Sequence, residues 1–569
     1  MKINHIFKIS AVLLLLSQAS CKKDFLDRTP GVSLPEDAVF SDPVQTSQFA
    51  NNAYNFLVDD YVRFNDHRGT TSQASDEAVS GNLDPSVYLL NQGLFNDYSE
   101  KTPTLNDIVD IWNREYQGIR ITNQVLAAIP NITWPSAYSP TRIEGEMHFL
   151  RAFFYFELIK RFGGVPIIDK VYGVNDNVDF PRASYDDCVK FIVADLDKAE
   201  QQLPEDYDAS NYGRATLGAA RALRARTLLY AASPLSNPTN DLTKWQKAAD
   251  AANVIITSGK YQLQTTYNDI LNVASSPEYI MTKVRAARIN TDGKIIDFAM
   301  SPGSGGANGQ MNPTQNHVDL YEMLNGKAIT DATSGYNPQA PYTNRDPRLT
   351  ANVIYNDETY QGRKIGMWSQ TATNGSITYG LDFNPTNVIY TATRYYCRKM
   401  WPEAYVRNTS GTALINYVFF RYAEILLDYA EAKNEAVTTP GSDVYSAVNL
   451  VRQRMHVGDV LTNPTMPGLP AGLTQSQMRD AIRHERAIEL AFEDQRWYDI
   501  MRWKAGIDIV AQPVYGMNVV KNTNGTFTYT KVLLSNAYQK TFKDYMHRYP
   551  IPRQEVYKSA GNLVQNPGW

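Results

Sequence analysis

The sequence predicts a mainly α-helical fold, in which paired helices stack as a scaffold and a loop-rich insertion carries a few short strands. Three observations predict it. Apolar residues recur at helical spacing in several segments that have recognisable ends. These segments come in pairs, with small residues at the expected contacts. Between about Tyr261 and Val418 the helical period is lost, and the chain turns rich in Gly, Asn, Thr and Pro. A length of 569 residues accommodates one large solenoid with elaborated loops.

At the amino terminus, Lys2 and Lys8 precede the apolar run Ile9 to Leu16, and Ala19 and Ser20 lead to Cys21, the order of a secretory signal. The run is about half of the roughly 20 residues a spanning helix needs, so residues 1–20 are expected to target the chain and be removed. Cys21 stands where a lipoprotein signal peptidase would cut, and it is the expected lipid-attachment residue. Each buried acyl methylene contributes about 0.8 kcal/mol, so two or more chains anchor firmly where one is marginal.

Residues 21–260 form the expected amino-terminal helical region. Asn106 to Ile129 carries Ile108, Ile111, Tyr116, Ile119 and Val125 and ends at Pro130; Thr141 to Arg161 carries Met147, Leu150, Phe154 and Leu158 and ends at Gly163-Gly164. A second pair is Tyr185 to Leu203 with Ala215 to Ala232, where Ala219, Ala222 and Ala225 permit close backbone approach. Lys244 to Ser258 opens a third unit. The insertion, residues 261–418, includes Ser301 to Gly309 and Pro338 to Pro341, with strands expected at Thr350 to Tyr355 and Thr386 to Thr393. The carboxy-terminal region, residues 419–569, adds Phe419 to Ala436, Asp443 to His456, and a last helix opened by a capping box at Thr474 and Gln477. Helix pairs recurring at this interval resemble tetratricopeptide-type repeats, whose function lies in what is inserted between or after them.

Composition narrows the function. A net charge of −4 with no basic block argues against a nucleic-acid partner. Three cysteines in a secreted chain make no disulfide framework, and Cys188 and Cys397 read as packing residues, with pairing between them left open. The 36 Tyr, 21 Phe and 8 Trp are the unusual feature: most fill helix seams, but a flat ring with a polar tip also suits stacking on a sugar or a protein. Catalytic signatures fail on context. His484-Glu485 lacks a second histidine at zinc-protease spacing, and the glycines at 303 to 309 neither follow a strand nor open a helix. Glu485, Glu489 and Glu493 share a helix face, but Arg483, Arg486 and Arg496 are interleaved with them, which points to a structural ion network. No catalytic residue, metal ligand or cofactor is therefore expected.

Several motifs carry a family resemblance. They are Cys21-Lys-Lys-Asp-Phe-Leu-Asp27, Trp112 with Tyr116, Ile119 and Asn123, Arg151-Ala-Phe-Phe-Tyr155 before Arg161-Phe-Gly-Gly-Val-Pro166, and Asn344-Arg-Asp-Pro-Arg-Leu349. Arg421 to Ala432, Glu485 to Glu493 before Arg496-Trp-Tyr-Asp499, and the ending Gln565-Asn-Pro-Gly-Trp569 continue the series. In this order across nearly the whole chain, they resemble the SusD/RagB family. The resemblance implies four tetratricopeptide-like units and a lipoprotein on the outer membrane, facing the cell exterior. It further implies a lid on a SusC-type TonB-dependent transporter, with a nutrient, usually an oligosaccharide, held on scaffold-borne loops. Within that reading, a lid that binds no glycan, or one that serves peptides, is the alternative; a hydrolase is the third hypothesis. The family does not fix the binding residues. Loops with aromatic faces beside amide and carboxylate groups are the physical choice, which selects Asp76, Tyr88, Asn96, Tyr98, Tyr336 and Trp368. Trp112 and Trp497 fall in helices and are expected in the core.

Overall fold

The computed structural model describes residues 36–58, 61–64, 69–83, 85–97, 106–173, 175–283, 299–306, 308–405, 415–454 and 466–569. The expected signal segment, Cys21 and Tyr98 lie outside the described residues. None of the described helices is long and apolar enough to cross a membrane.

Among the described residues, eight helices build the scaffold as four pairs. The first pair is α1 (Asn106–Ala128) with α2 (Pro140–Phe162), and the second is α3 (Tyr185–Gln202) with α4 (Leu217–Ala232). The third is α5 (Leu242–Thr257) with α6 (Tyr422–Ala436), and the fourth is α7 (Ser442–Gln453) with α8 (Gln475–Glu489). Their ends follow from local chemistry. Ser139, Ser184 and Thr216 accept a backbone N–H of the first turn of α2, α3 and α4, and Thr474 and Gln477 form the reciprocal box that opens α8. Ala219, Ala222 and Ala225 are buried in α4, as their small size requires. Neighbouring pairs pack on one another, and α5 packs on α6 as closely as on α4. The insertion therefore splits a helix pair.

A short ladder closes the neck of that insertion. Strand β2 (Tyr279–Lys283) runs antiparallel to β6 (Tyr417–Arg421), with Tyr279 opposite Arg421. This pairing explains why the helix expected from Phe419 starts only at Tyr422. Two expected strands also take other forms. At Thr350 to Tyr355 the chain forms a short helix, Arg348–Asn352, and then the two-residue strand Val353–Ile354, because the Asp346 carboxylate accepts the Arg348 N–H at 2.9 Å and Pro347 fixes the helical entry. Thr386 to Thr393 is a run of turns: the Asn384 and Asn387 side chains accept the N–H groups two residues on.

Charge as well as apolar contact holds the carboxy-terminal region to the scaffold and the insertion. Glu485, Glu489 and Glu493 are buried in an ion network, but their partners come from far away in sequence. Arg348 reaches Glu485; Arg421 reaches Glu489 and Glu493 at 2.7 Å and Glu278 at 2.8 Å; Arg454 reaches Glu489; Lys399 reaches Glu493 at 2.6 Å. The interleaved arginines face elsewhere: Arg486 binds Asp428 and Asp499, and Arg496 binds Asp76. Cys188 and Cys397 are buried free thiols. Trp112 and Trp497 are buried in the core.

Candidate functional site

The insertion and the carboxy-terminal hairpin share one four-stranded sheet. Its order is β5 (Ile377–Tyr379), β4 (Ser369–Thr371), β7 (Tyr515–Lys521) and β8 (Phe527–Leu533). In the β7–β8 hairpin, Val519 faces Tyr529 and Lys521 faces Phe527, so these four side chains share a face. Val519 is buried, while Phe527 and Tyr529 are half-buried.

Aromatic rings gather on this face. The Tyr342 ring stacks on Tyr355, with centroids 4.1 Å apart and planes 20° apart, and meets Tyr529 edge-on at 5.6 Å. The Tyr342 and Tyr395 hydroxyls are 3.1 Å apart, and the Tyr395 hydroxyl donates to Gln315 at 2.6 Å. Gln339 brackets the Tyr529 backbone, donating to its carbonyl at 3.0 Å and accepting its N–H at 3.1 Å. Arg345 lies 5.3 Å over the Tyr336 ring, and Lys521 Nζ lies 4.6 Å over the Trp368 ring. Tyr336, Tyr342, Tyr355, Trp368 and Tyr529 are each half-buried, with the Tyr342 ring flanked by Tyr355, Tyr395 and Tyr529. Burial raises the hydroxyl pKa of Tyr336 and Tyr529 above the ordinary value, so both remain neutral groups that donate and accept.

The other chosen residues fall on a second segment. Strand β1 (Ala78–Ser80) pairs with β3 (Met311–Pro313), and the chain that follows is braced against residues 538–541. The Thr541 N–H donates to the Asn91 carbonyl at 2.6 Å, Gln92 donates to the Gln539 carbonyl at 2.9 Å, and the Tyr538 hydroxyl donates to the Gly81 carbonyl at 3.0 Å. Tyr88 is half-buried on the short helix Pro85–Asn91, and Asn96 is exposed beside the exposed Leu94. Asp76 has a different setting. Arg496 holds both its oxygens at 2.9 Å, and although burial works to raise its pKa, the Arg496 charge prevails and holds it below the usual carboxylate value. Beside it, Lys540 Nζ donates to the carbonyls of Gln73, Ser75 and Ala78, and the Phe492 N–H donates to Glu77 at 2.9 Å. This corner is a structural lock.

The structure thus places Tyr336 and Trp368 around one sheet and leaves Tyr88 and Asn96 on a separately braced segment. Sequence reasoning missed Tyr342, Tyr355, Lys521, Phe527 and Tyr529. A signal existed for the hairpin residues: Asn-Thr-Asn-Gly at 522–525, flanked by Val519 and Lys521 before it and Phe527 and Tyr529 after it, is a hairpin pattern. A separate cavity of about 670 Å³ on the scaffold is lined by Trp112, Tyr116 and Phe180 beside Asn113, Asp179 and Lys558, and none of the chosen residues lines it. Among the described residues, no three His, Cys, Asp or Glu side chains gather as a metal site.

Stacked helix pairs carrying a half-open aromatic face on inserted loops define a helical-repeat scaffold that presents a recognition surface. The chain belongs to the SusD family: residues 262–569 match the profile described as the SusD family, and residues 24–229 match one described as starch-binding associating with outer membrane. Among curated proteins, it is 24% identical to a SusD-like protein of Formosa agariphila over 99% of both chains. Another SusD-like protein, from Bacteroides ovatus, is 22% identical, with 88% of this chain and 83% of that one covered. Among solved structures, a SusD-like protein from Bacteroides fragilis superposes with a TM-score of 0.75 at 27% identity, covering 95% of this chain and all 100% of the other. A SusD-like carbohydrate-binding protein from the same organism gives 0.73 at 22% identity, covering 91% of this chain and 99% of that one.

Proposed function

We propose that the protein is a lipid-anchored outer-membrane lipoprotein that captures an oligosaccharide and passes it to a partner SusC-type TonB-dependent transporter, without breaking a bond. The observation that carries this reading is the half-open set of Tyr336, Tyr342, Tyr355, Trp368 and Tyr529 around the shared sheet. Stacking on such rings, with neutral hydroxyls and side-chain amides at the edge, is the chemistry a sugar needs. Tyr88, Asn96 and Tyr98 are proposed as further ligand contacts. In this reading Cys21 carries the lipid and the loops face the cell exterior. Family membership and the relatives described as carbohydrate-binding support the reading. The test is to purify the lipidated protein from its native outer membrane in mild detergent. Recovery of a large TonB-dependent transporter in near-equal amount is the expected result; recovery of the protein alone, with Cys21 acylated, overturns the partnership.

A further inference from the structure

A second cavity, of about 610 Å³, opens on the helical scaffold between the turn after α4 and helices α6 and α8. The groups that give it its character are Trp245, Glu431, Glu435, Arg479, Arg483 and Lys504. Both carboxylates are already taken. Glu431 accepts from Arg502 and, at 2.7 Å, from Trp503 Nε1, and Glu435 accepts from Arg479 through two bonds of 2.6 Å. Lys504 stands at the rim, with Nζ 3.7 Å from Asp544.

Arg483 is different. Its guanidinium lies 4.7 Å over the Trp503 ring, its Nε is buried with no hydrogen-bond partner, and it forms no ion pair among the described residues. On the same helix, Arg479 and Arg486 both close on carboxylates. Burial pushes the Arg483 pKa down; Arg502 and Arg479 push the same way against Glu431 and Glu435. A guanidinium beside a cavity with no carboxylate paired to it is a seat for an anion. The guanidinium fork fits the two oxygens of a carboxylate or sulfate, and the cavity lies within the range of about 300–1,000 Å³ typical of small-molecule sites.

We propose that this cavity binds a small organic anion, with its carboxylate or sulfate group seated on Arg483 and faced by Lys504 from the rim. The site is independent of the glycan reading, because it shares no lining residue with the aromatic sheet. The test is saturation-transfer NMR on the purified mature protein with glucuronate as probe, inorganic sulfate as competitor and glucose as the neutral control. Glucuronate is expected to bind and to be displaced by sulfate. Arg483→Met is expected to weaken it by at least about tenfold, and Lys504→Met by less, with any glucose signal unchanged in both. Arg483→Lys keeps the charge and removes the fork; it is expected to weaken glucuronate at an unchanged melting temperature, which separates recognition from folding. Absence of a glucuronate signal, a signal that sulfate does not displace, or one that Arg483→Met leaves unchanged overturns the proposal.

Discussion

Glu489→Gln tests the account of what holds this molecule together. Glu489 is buried among Arg421, Arg454 and Arg348. Burial alone would raise its pKa, but the charges of Arg454, Arg421, Arg348 and Lys399 overrule it and hold the carboxyl at about 2, against an ordinary 4.5. Each unit corresponds to about 1.36 kcal/mol, so the ionised form contributes roughly 3 kcal/mol. That agrees with the about 3–5 kcal/mol lost when one partner of a buried ion pair is removed. The folded-state pKa lies below the unfolded one, so the contribution is complete above about pH 4.5 and is lost as the pH falls through 2. The assay is urea unfolding followed by tryptophan fluorescence at neutral pH and at steps down to the acid range. Wild type is expected to lose stability across that window; Glu489→Gln starts about 3 kcal/mol lower and shows a flatter profile. Equal midpoints at neutral pH, or parallel profiles, refute the reasoning.

Three further outcomes follow from the same structure. Asp76→Asn removes the charge opposite Arg496 and is expected to lower stability by about 1–3 kcal/mol in urea unfolding while leaving polysaccharide retention unchanged. At Gly118 an added Cβ would stand 2.6 Å from the Phe154 ring, where α1 crosses α2. The strain of about 1–3 kcal/mol exceeds the gain in helix propensity of about 1 kcal/mol, so Gly118→Ala is expected to melt earlier. Cys21→Ala removes the proposed lipid-attachment residue, and cell fractionation is expected to move the protein from the outer-membrane pellet to the soluble fraction.

The parts legible in the sequence are those governed by local rules. Helices α1, α3 and α5 show their apolar period within a window of about 20 residues, α2 and α4, buried on almost every side, show long apolar runs with clear ends, and the Thr474–Gln477 box sits where its spacing puts it. What escaped is long-range. The pairing of α5 with α6 depends on a ladder between Tyr279 and Arg421 that no periodicity encodes. The interleaving of Glu485, Glu489 and Glu493 with arginines marked an ion network correctly, but spacing offered only helix neighbours as partners, whereas Arg348, Arg421 and Lys399 arrive from the insertion and its neck. Among the candidate site residues, Trp368 and Tyr336 were chosen as loop aromatics and lie around the sheet. Asp76 has the same residue chemistry on paper, and only the fold shows Arg496 upon it.

The central claim, capture of a saccharide on the aromatic face, is tested most directly by native gel electrophoresis of the mature protein through gels containing a panel of polysaccharides. The account predicts that at least one polysaccharide retards the wild-type protein, that the polysaccharide is recovered uncleaved, and that Trp368→Ala and Tyr529→Ala migrate freely while keeping the wild-type circular dichroism spectrum. Retardation that persists in both variants, or migration of the wild type unaffected by every polysaccharide, contradicts it.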